Sequence, residues 1–241
     1  MAKLFSDRNR PVHMGRFPTE ILKRSAHMPD LDGLAPWPDL SFQRPAGSAS
    51  LVPAMAEFQA MMDAVRDGPQ NQAPSEIPED RLERSRHLKS FAYFNDISMV
   101  GIAPLGQADR LAAARRNPQI DRLSHALQTR QTKTLAAGID VIMADLRESM
   151  AAKPQPMDHH TYALVFLVAY RRDPRPGEIG CDWVQDAQAE RAAVLGTETA
   201  TVLANYIRIL GYSARAHSAT TCDVDLARLA VKAGLAQVAG D

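Results

Sequence analysis

Five side chains of the types that active sites use fall within "LANYIRILGYSARAH", residues 203–217: Tyr206, Arg208, Tyr212, Arg215 and His217. A tyrosine in such a strip can donate a proton, and an arginine or histidine beside it can hold an anionic group. Tyr206, Tyr212, Arg208 and His217 are the candidates if this strip carries chemistry. The same residues also read as a helix that ends and hands over to a strand. Leu203, Ile207 and Leu210 follow helical spacing on a buried face, with Asn205 and Arg208 on the wetter one. Gly211 stands where a left-handed residue stops a helix, and Tyr212 can fold back on the last turn. On that reading every residue has a structural role, so none is assigned as catalytic.

Other constellations are no richer. "MDHH" places Asp158, His159 and His160 in a row. Adjacent side chains point apart on a helix or a strand, and no histidine follows at i+3 or i+4, so a polar strand entrance is expected and not a metal site. Cys181 and Cys222, in no CxxC pattern, are expected to be ordinary buried thiols, because an iron–sulfur cluster draws on a fuller set of closely spaced thiolates. In "CDVD", Asp223 is expected to cap a helix and Asp225 to face its positive dipole end. Nothing matches GxGxxG, a P-loop, GxSxG or HExxH, and "PRPGEIG" is a turn. No metal ligand and no cofactor-binding residue is assigned.

The 241 residues are 45% hydrophobic, with 28 basic and 28 acidic side chains. Charge balance removes the electrostatic case for nucleic acid or an anionic membrane as the main partner. The longest apolar run, "YALVFLVAY" (Tyr162–Tyr170), is far short of the roughly 20 residues of a membrane helix and reads as a central strand covered on both faces. The start "MAKLFSDRNR" lacks the apolar core of a secretory signal, and a reduced, cytoplasmic protein is expected.

These groups need elements to position them. Residues 1–50, punctuated by prolines such as Pro11, Pro18, Pro36 and Pro45, are expected to form an extended arm anchored by Phe17, Trp37 and Phe42. Residues 51–241 form the domain. Leu51, Met55, Phe58, Met62 and Val65 trace the face of a first helix, and "DGPQNQAPSEIPED" reads as a surface loop or linker. A helix over 79–94 and a strand over 98–105 follow. After a polar connection, residues 118–150 are helical, with Leu135, Ile139, Leu146 and Met150 on one side and a bend at Gly138. The strand at 162–170 leads to a helix opened by Asp182 or Asp186 and closed at Gly211. "SARAHSA" is expected as a short strand, and residues 224–233 as the last helix. This order predicts an α/β (α+β) sandwich in which helices cover a small mixed sheet.

Several stretches together resemble the corrinoid-dependent reductive dehalogenases. "NRPVHMGRFPTEILKR" is similar to that family's opening run of Gly, aromatic, Pro and Glu before a short helix. "HLKSFAYFNDISMVGIAPL" resembles its helix-to-strand unit. "ATVLANYIRILGYSARAHS" and "DLARLAVKAGLA" are similar to the helix, Gly-Tyr turn, strand and helix found there and in epoxyqueuosine reductases. The resemblance implies a nitroreductase-like fold and a cytosolic enzyme that removes halogen from an organic, commonly aromatic, halide. It implies a cobalamin, and two 4Fe–4S clusters that deliver the electrons. This chain has two cysteines and ends at "AGLAQVAGD", where such enzymes continue. The expectation is the N-terminal domain of a longer enzyme, supporting a corrinoid-binding domain and a ferredoxin-like domain that lie outside this chain. A self-contained corrinoid- or flavin-binding reductase and a non-enzymatic partner module are the alternatives, and a homodimer is left open.

Overall fold

The computed structural model describes residues 28–32, 49–129 and 155–238. The first helix, α1 (Val52–Ala64), starts with Pro at its second position, where the missing N–H costs nothing. α2 (Arg81–Phe94) is capped by Asp80, whose carboxylate accepts from the Leu82 amide at 2.9 Å. β1 (Met99–Pro104) is followed by a turn of 3₁₀ helix at Gln107–Asp109 and by β2 (Arg110–Arg115). After α3 (Gln119–Thr129) come β3 (Tyr162–Leu167), the single turn α4 (Cys181–Val184), the long α5 (Ala187–Ile209), β4 (Cys222–Val224) and α6 (Leu226–Lys232).

Mixed helices and small sheets bear out the α+β expectation, but the sheet is not mixed. Among the described residues it consists of two antiparallel pairs, β1 with β3 and β2 with β4. In the first pair Met99 faces Leu167 and Pro104 faces Tyr162. Alternate side chains then pack on opposite sides. Val100, Leu164 and Phe166 meet Ala92, Tyr93 and Ile97 of the α2 segment and Leu203 of α5. Met99, Ala103, Ala163 and Val165 meet Leu229 and Ala233 at α6, with Met157 and Leu235 closing that core. β3 is thus covered on both faces, as its unbroken apolar run predicts, but among the described residues it pairs with β1 alone and is not a central strand; it also ends at Leu167, and Tyr170 is exposed.

Four other expectations are corrected. The buried face of α1 is Val52, Gln59, Ala60, Met62 and Asp63, whereas Leu51 and Phe58 face outward. The helix is rotated because Gln59 and Asp63 find buried partners: the Gln59 amide donates to Thr220 Oγ1 at 2.9 Å, and the Asp63 carboxylate accepts from Ser218, Thr220 and Asn117. "SARAHSA" is extended but joins no ladder. Its Ala216 N–H is taken by the Arg66 carbonyl at 3.0 Å. The ladder forms instead at Cys222–Val224, so α6 starts at Leu226 and its cap is Asp225, which accepts from Arg228 N at 3.0 Å. Asp223 is no cap. Strand β2, read from sequence as part of a polar connection, pairs Arg110 with Val224 and Arg115 with Cys222. The anchors Phe17, Trp37 and Phe42, Gly138 and the apolar side of residues 135–150 lie outside the described residues.

The end of α5 follows its expectation closely. Gly211 has φ +87°, its amide donates to the Arg208 carbonyl and the Tyr212 amide reaches Ile207 O at 3.1 Å. This paired return satisfies carbonyls that the helix end leaves open. The loop read as a linker completes the cap, since Asn71 N bonds Arg208 O and Ser75 N bonds Leu210 O, both at 2.9 Å. A Cβ on Gly211 would stand 2.5 Å from Pro74 Cα. Part of the expected N-terminal arm is also fixed, since Arg228 of α6 holds Leu31 O and the Asp32 carboxylate.

Candidate functional site

The four candidates of the 203–217 strip face three different neighbourhoods. Tyr206, on α5, stacks on Phe91 of α2 with ring centroids 5.0 Å apart, and its hydroxyl lies 2.8 Å from His87 Nε2. Burial raises its pKa, so it stays protonated in this aromatic contact. Tyr212 turns the other way and donates to Ser75 O at 3.1 Å, fastening the capping loop.

Arg208, expected on the wetter face, is instead buried. Its guanidinium donates to Ala214 O at 3.0 Å and Arg66 O at 3.4 Å, tying α5 to two loops. Desolvation pulls its pKa down, opposed by Asp67. Its hydrogen bonds go to backbone carbonyls, acceptors that satisfy a buried guanidinium.

His217 joins a charge network that no local sequence signal announces. Arg66 grips Asp223 with both terminal nitrogens, at 2.8 and 3.2 Å. Arg215 bridges Asp223 at 3.2 Å and Asp67 at 2.7 Å, and also donates to Gln155 O. Two cations and two anions therefore alternate as Arg66, Asp223, Arg215 and Asp67, with the Arg215 side chain only 4% exposed. Burial alone would raise both carboxyls, but hydrogen bonds outweigh it: those from Arg66 to Asp223, and those from the Gln155 amide and Arg215 to Asp67, hold both below their ordinary value. His217 Nδ1 accepts from the Asp223 amide at 3.3 Å and lies 3.5 Å from Arg66 Nη1. Burial, reinforced by Arg66, lowers its pKa to about 4, so the ring is neutral at pH 7. At the rim, His160 Nε2 lies 2.8 Å from Ser213 Oγ.

The "MDHH" segment forms a turn before β3 whose carbonyls of Met157, Asp158 and His160 all accept from Arg110. That turn brings the His159 and His160 rings edge to face at 4.6 Å, where the sequence predicts that they point apart. Cys222 is buried in β4 as expected, whereas Cys181, on α4, is half-buried.

A 4Fe–4S cluster does not fit these residues: the thiols sit on separate elements, and no group of three or more His, Cys, Asp or Glu among the described residues could hold a metal ion. A corrinoid does not fit the four candidates either. A proton donor beside an anion-binding pair requires them to converge, and they diverge into internal contacts. What the arrangement does chemically is neutralise charge and satisfy backbone groups, which fixes loops 66–75 and 213–223 to α5. No helix among the described residues is long and apolar enough to cross a membrane.

The chain matches no protein-family model and no curated protein. It is similar to solved reductive dehalogenase structures. Against the catabolic reductive dehalogenase NpRdhA it has 32% identity and a TM-score of 0.65, covering 98% of this chain and 28% of that one. NpRdhA in complex with 3-bromo-4-hydroxybenzoic acid gives 31% identity, a TM-score of 0.62 and 98% of this chain. A reductive dehalogenase structure described as suggesting a mechanism for B12-dependent dehalogenation matches at 32% identity and TM-score 0.64 over 99% of this chain. The chain therefore spans less than a third of the length of the reductive dehalogenases that it matches.

Proposed function

We propose that this chain serves as the N-terminal supporting domain of a cytosolic, cobalamin-dependent reductive dehalogenase. The observation that carries the reading is the pair of coverages: nearly the whole chain aligns with about a quarter of a reductive dehalogenase at 32% identity. The side chains support it as well, because Tyr206, Arg208, Tyr212 and His217 spend their polar atoms on the fold itself. On this reading residues 51–241 are a nitroreductase-like domain behind an arm at 1–50. Cobalamin and the 4Fe–4S clusters are held by other domains of the same enzyme. Its substrate class is a halogenated aromatic, the class of the bromophenolic acid bound in the NpRdhA complex. The sequence resemblance of the helix, Gly211–Tyr212 turn and following segment is what supports a more distant kinship with epoxyqueuosine reductases.

Two measurements test this. Cobalamin titrated into the isolated chain should keep the visible spectrum of the free cofactor, and tight one-to-one binding would overturn a purely supporting role. A chimera in which this chain replaces the matched portion of NpRdhA should still retain cobalamin. A soluble chimera that purifies without it would sink the proposal.

A further inference from the structure

Helix α1 is apolar on two sides. Val52, Ala60 and Met62 face the interior, while Leu51, Phe58 and Met61 stand at 50%, 47% and 45% exposure on the opposite side. Leu51, Ala54, Phe58 and Met61 are spaced by three, four and three residues, so they form one continuous stripe. The stripe is prolonged at its upstream end, where the Leu51 amide donates to the Trp183 carbonyl at 3.1 Å. Trp183 is largely exposed, and Ile179 just before α4 is fully so. Glu57, Asp182 and Gln185 are exposed around it.

Scattered apolar residues need no explanation, but a contiguous stripe of Leu, Phe and Met joined to a Trp, with polar residues at its edge, has the composition of an interface core and rim. The coverage says what is large enough to lie there. The matched portion is about 28% of NpRdhA, so on the supporting-domain reading more than twice this chain's length lies outside it and is available to cover part of this domain's surface.

We propose that the outer face of α1 (Leu51, Phe58 and Met61), continued by Trp183 and Ile179, is the surface on which this domain docks against the remainder of the dehalogenase. The inference rests on the supporting-domain reading and adds its contact face. Gln59 and Asp63, on the same helix, lock the inner side to Thr220 and Ser218 and so hold the outer side in one orientation.

Hydroxyl-radical footprinting with mass spectrometry tests it, comparing the isolated chain with the protein purified from its native source. In the isolated chain Phe58, Met61 and Trp183 should label readily. In the native enzyme the same side chains should label several-fold more slowly, as befits a closely packed interface core. If the native protein carries cobalamin and additional polypeptide yet labels at these positions like the isolated chain, the docking surface is wrong and the supporting-domain reading stands. If it carries neither, both are wrong. Protection that already grows with concentration in the isolated chain assigns the face to a homodimer and overturns the proposal.

Discussion

His217 is kept neutral by its surroundings, and that has a measurable consequence. Its pKa is about 4 in the folded chain, against an ordinary value near 6.5. Between these values the unfolded chain takes up a proton that the folded one refuses, so stability falls as pH drops from about 6.5 towards 4. His160 is shifted in the same direction, again chiefly by burial. Asp223, Asp67 and Asp109 extend the loss. Their carboxyls are held below the ordinary value by hydrogen bonds and cationic partners, so the stability they contribute is present above the unfolded carboxyl pKa and disappears as pH falls through the folded one. Urea midpoints measured from pH 7.5 downwards should decline from about pH 6.5. In His217→Gln the decline between pH 6.5 and 4 should be shallower, and an unchanged slope would contradict the assignment. Tyr206, Arg208, Tyr212 and His217 were legible as residue types able to act. Their divergence was not, because it depends on Phe91, Ser75 and Arg66, each more than a hundred residues away in sequence.

At the scale of elements, two neighbouring aspartates separate a cap from an ion pair. Asp225→Ala should cost about 1 kcal/mol, the usual loss for a helix N-cap. Asp223→Ala should cost more, about 2–3 kcal/mol, because it leaves Arg66 and the buried Arg215 short of an anion. Chemical denaturation of both variants gives the order directly, and a larger loss for Asp225→Ala would reverse the roles. Gly211→Ala should cost at least about 2 kcal/mol, since φ +87° disfavours any L side chain and a Cβ would press on Pro74. The α5 stop was readable from sequence because Gly211 and Tyr212 lie within one turn of the carbonyls they satisfy, whereas the part that loop 71–75 plays in the cap was not. The β1–β3 pair was readable in part because its apolar runs are continuous. β2 was hidden: "RLAAAR" has little strand propensity and becomes a strand only through its pairing with β4. The α1 face was misread because spacing counts Gln59 and Asp63 as surface residues. Their burial depends on the hydroxyls of Ser218 and Thr220, more than 150 positions along the chain.

For the molecule as a whole, the two apolar cores lie on opposite faces of the β1–β3 pair, Arg208 and the capping loop hold the flanking segments to α5, and the charge network ties residues 66–67 to 215 and 223. The described polar side chains of the 203–217 strip are thus turned inward, while Leu51, Phe58 and Met61 face outward on α1. Cys222, buried in β4 opposite Arg115, has its thiol pKa raised by desolvation, whereas Cys181 is half-buried on α4. Only the thiolate reacts readily, so Cys222 is protected both by burial and by its raised pKa. A maleimide at neutral pH should add once, at Cys181, and a second time only when the β2–β4 pair opens. Second additions that keep pace with urea unfolding in intact-mass spectra would make Cys222 a native reporter of the fold's integrity, needing no introduced label; rapid double addition to the folded chain would rule this out. The pair of thiols that is too sparse to hold a cluster would thus serve as a clock for how often the domain comes apart.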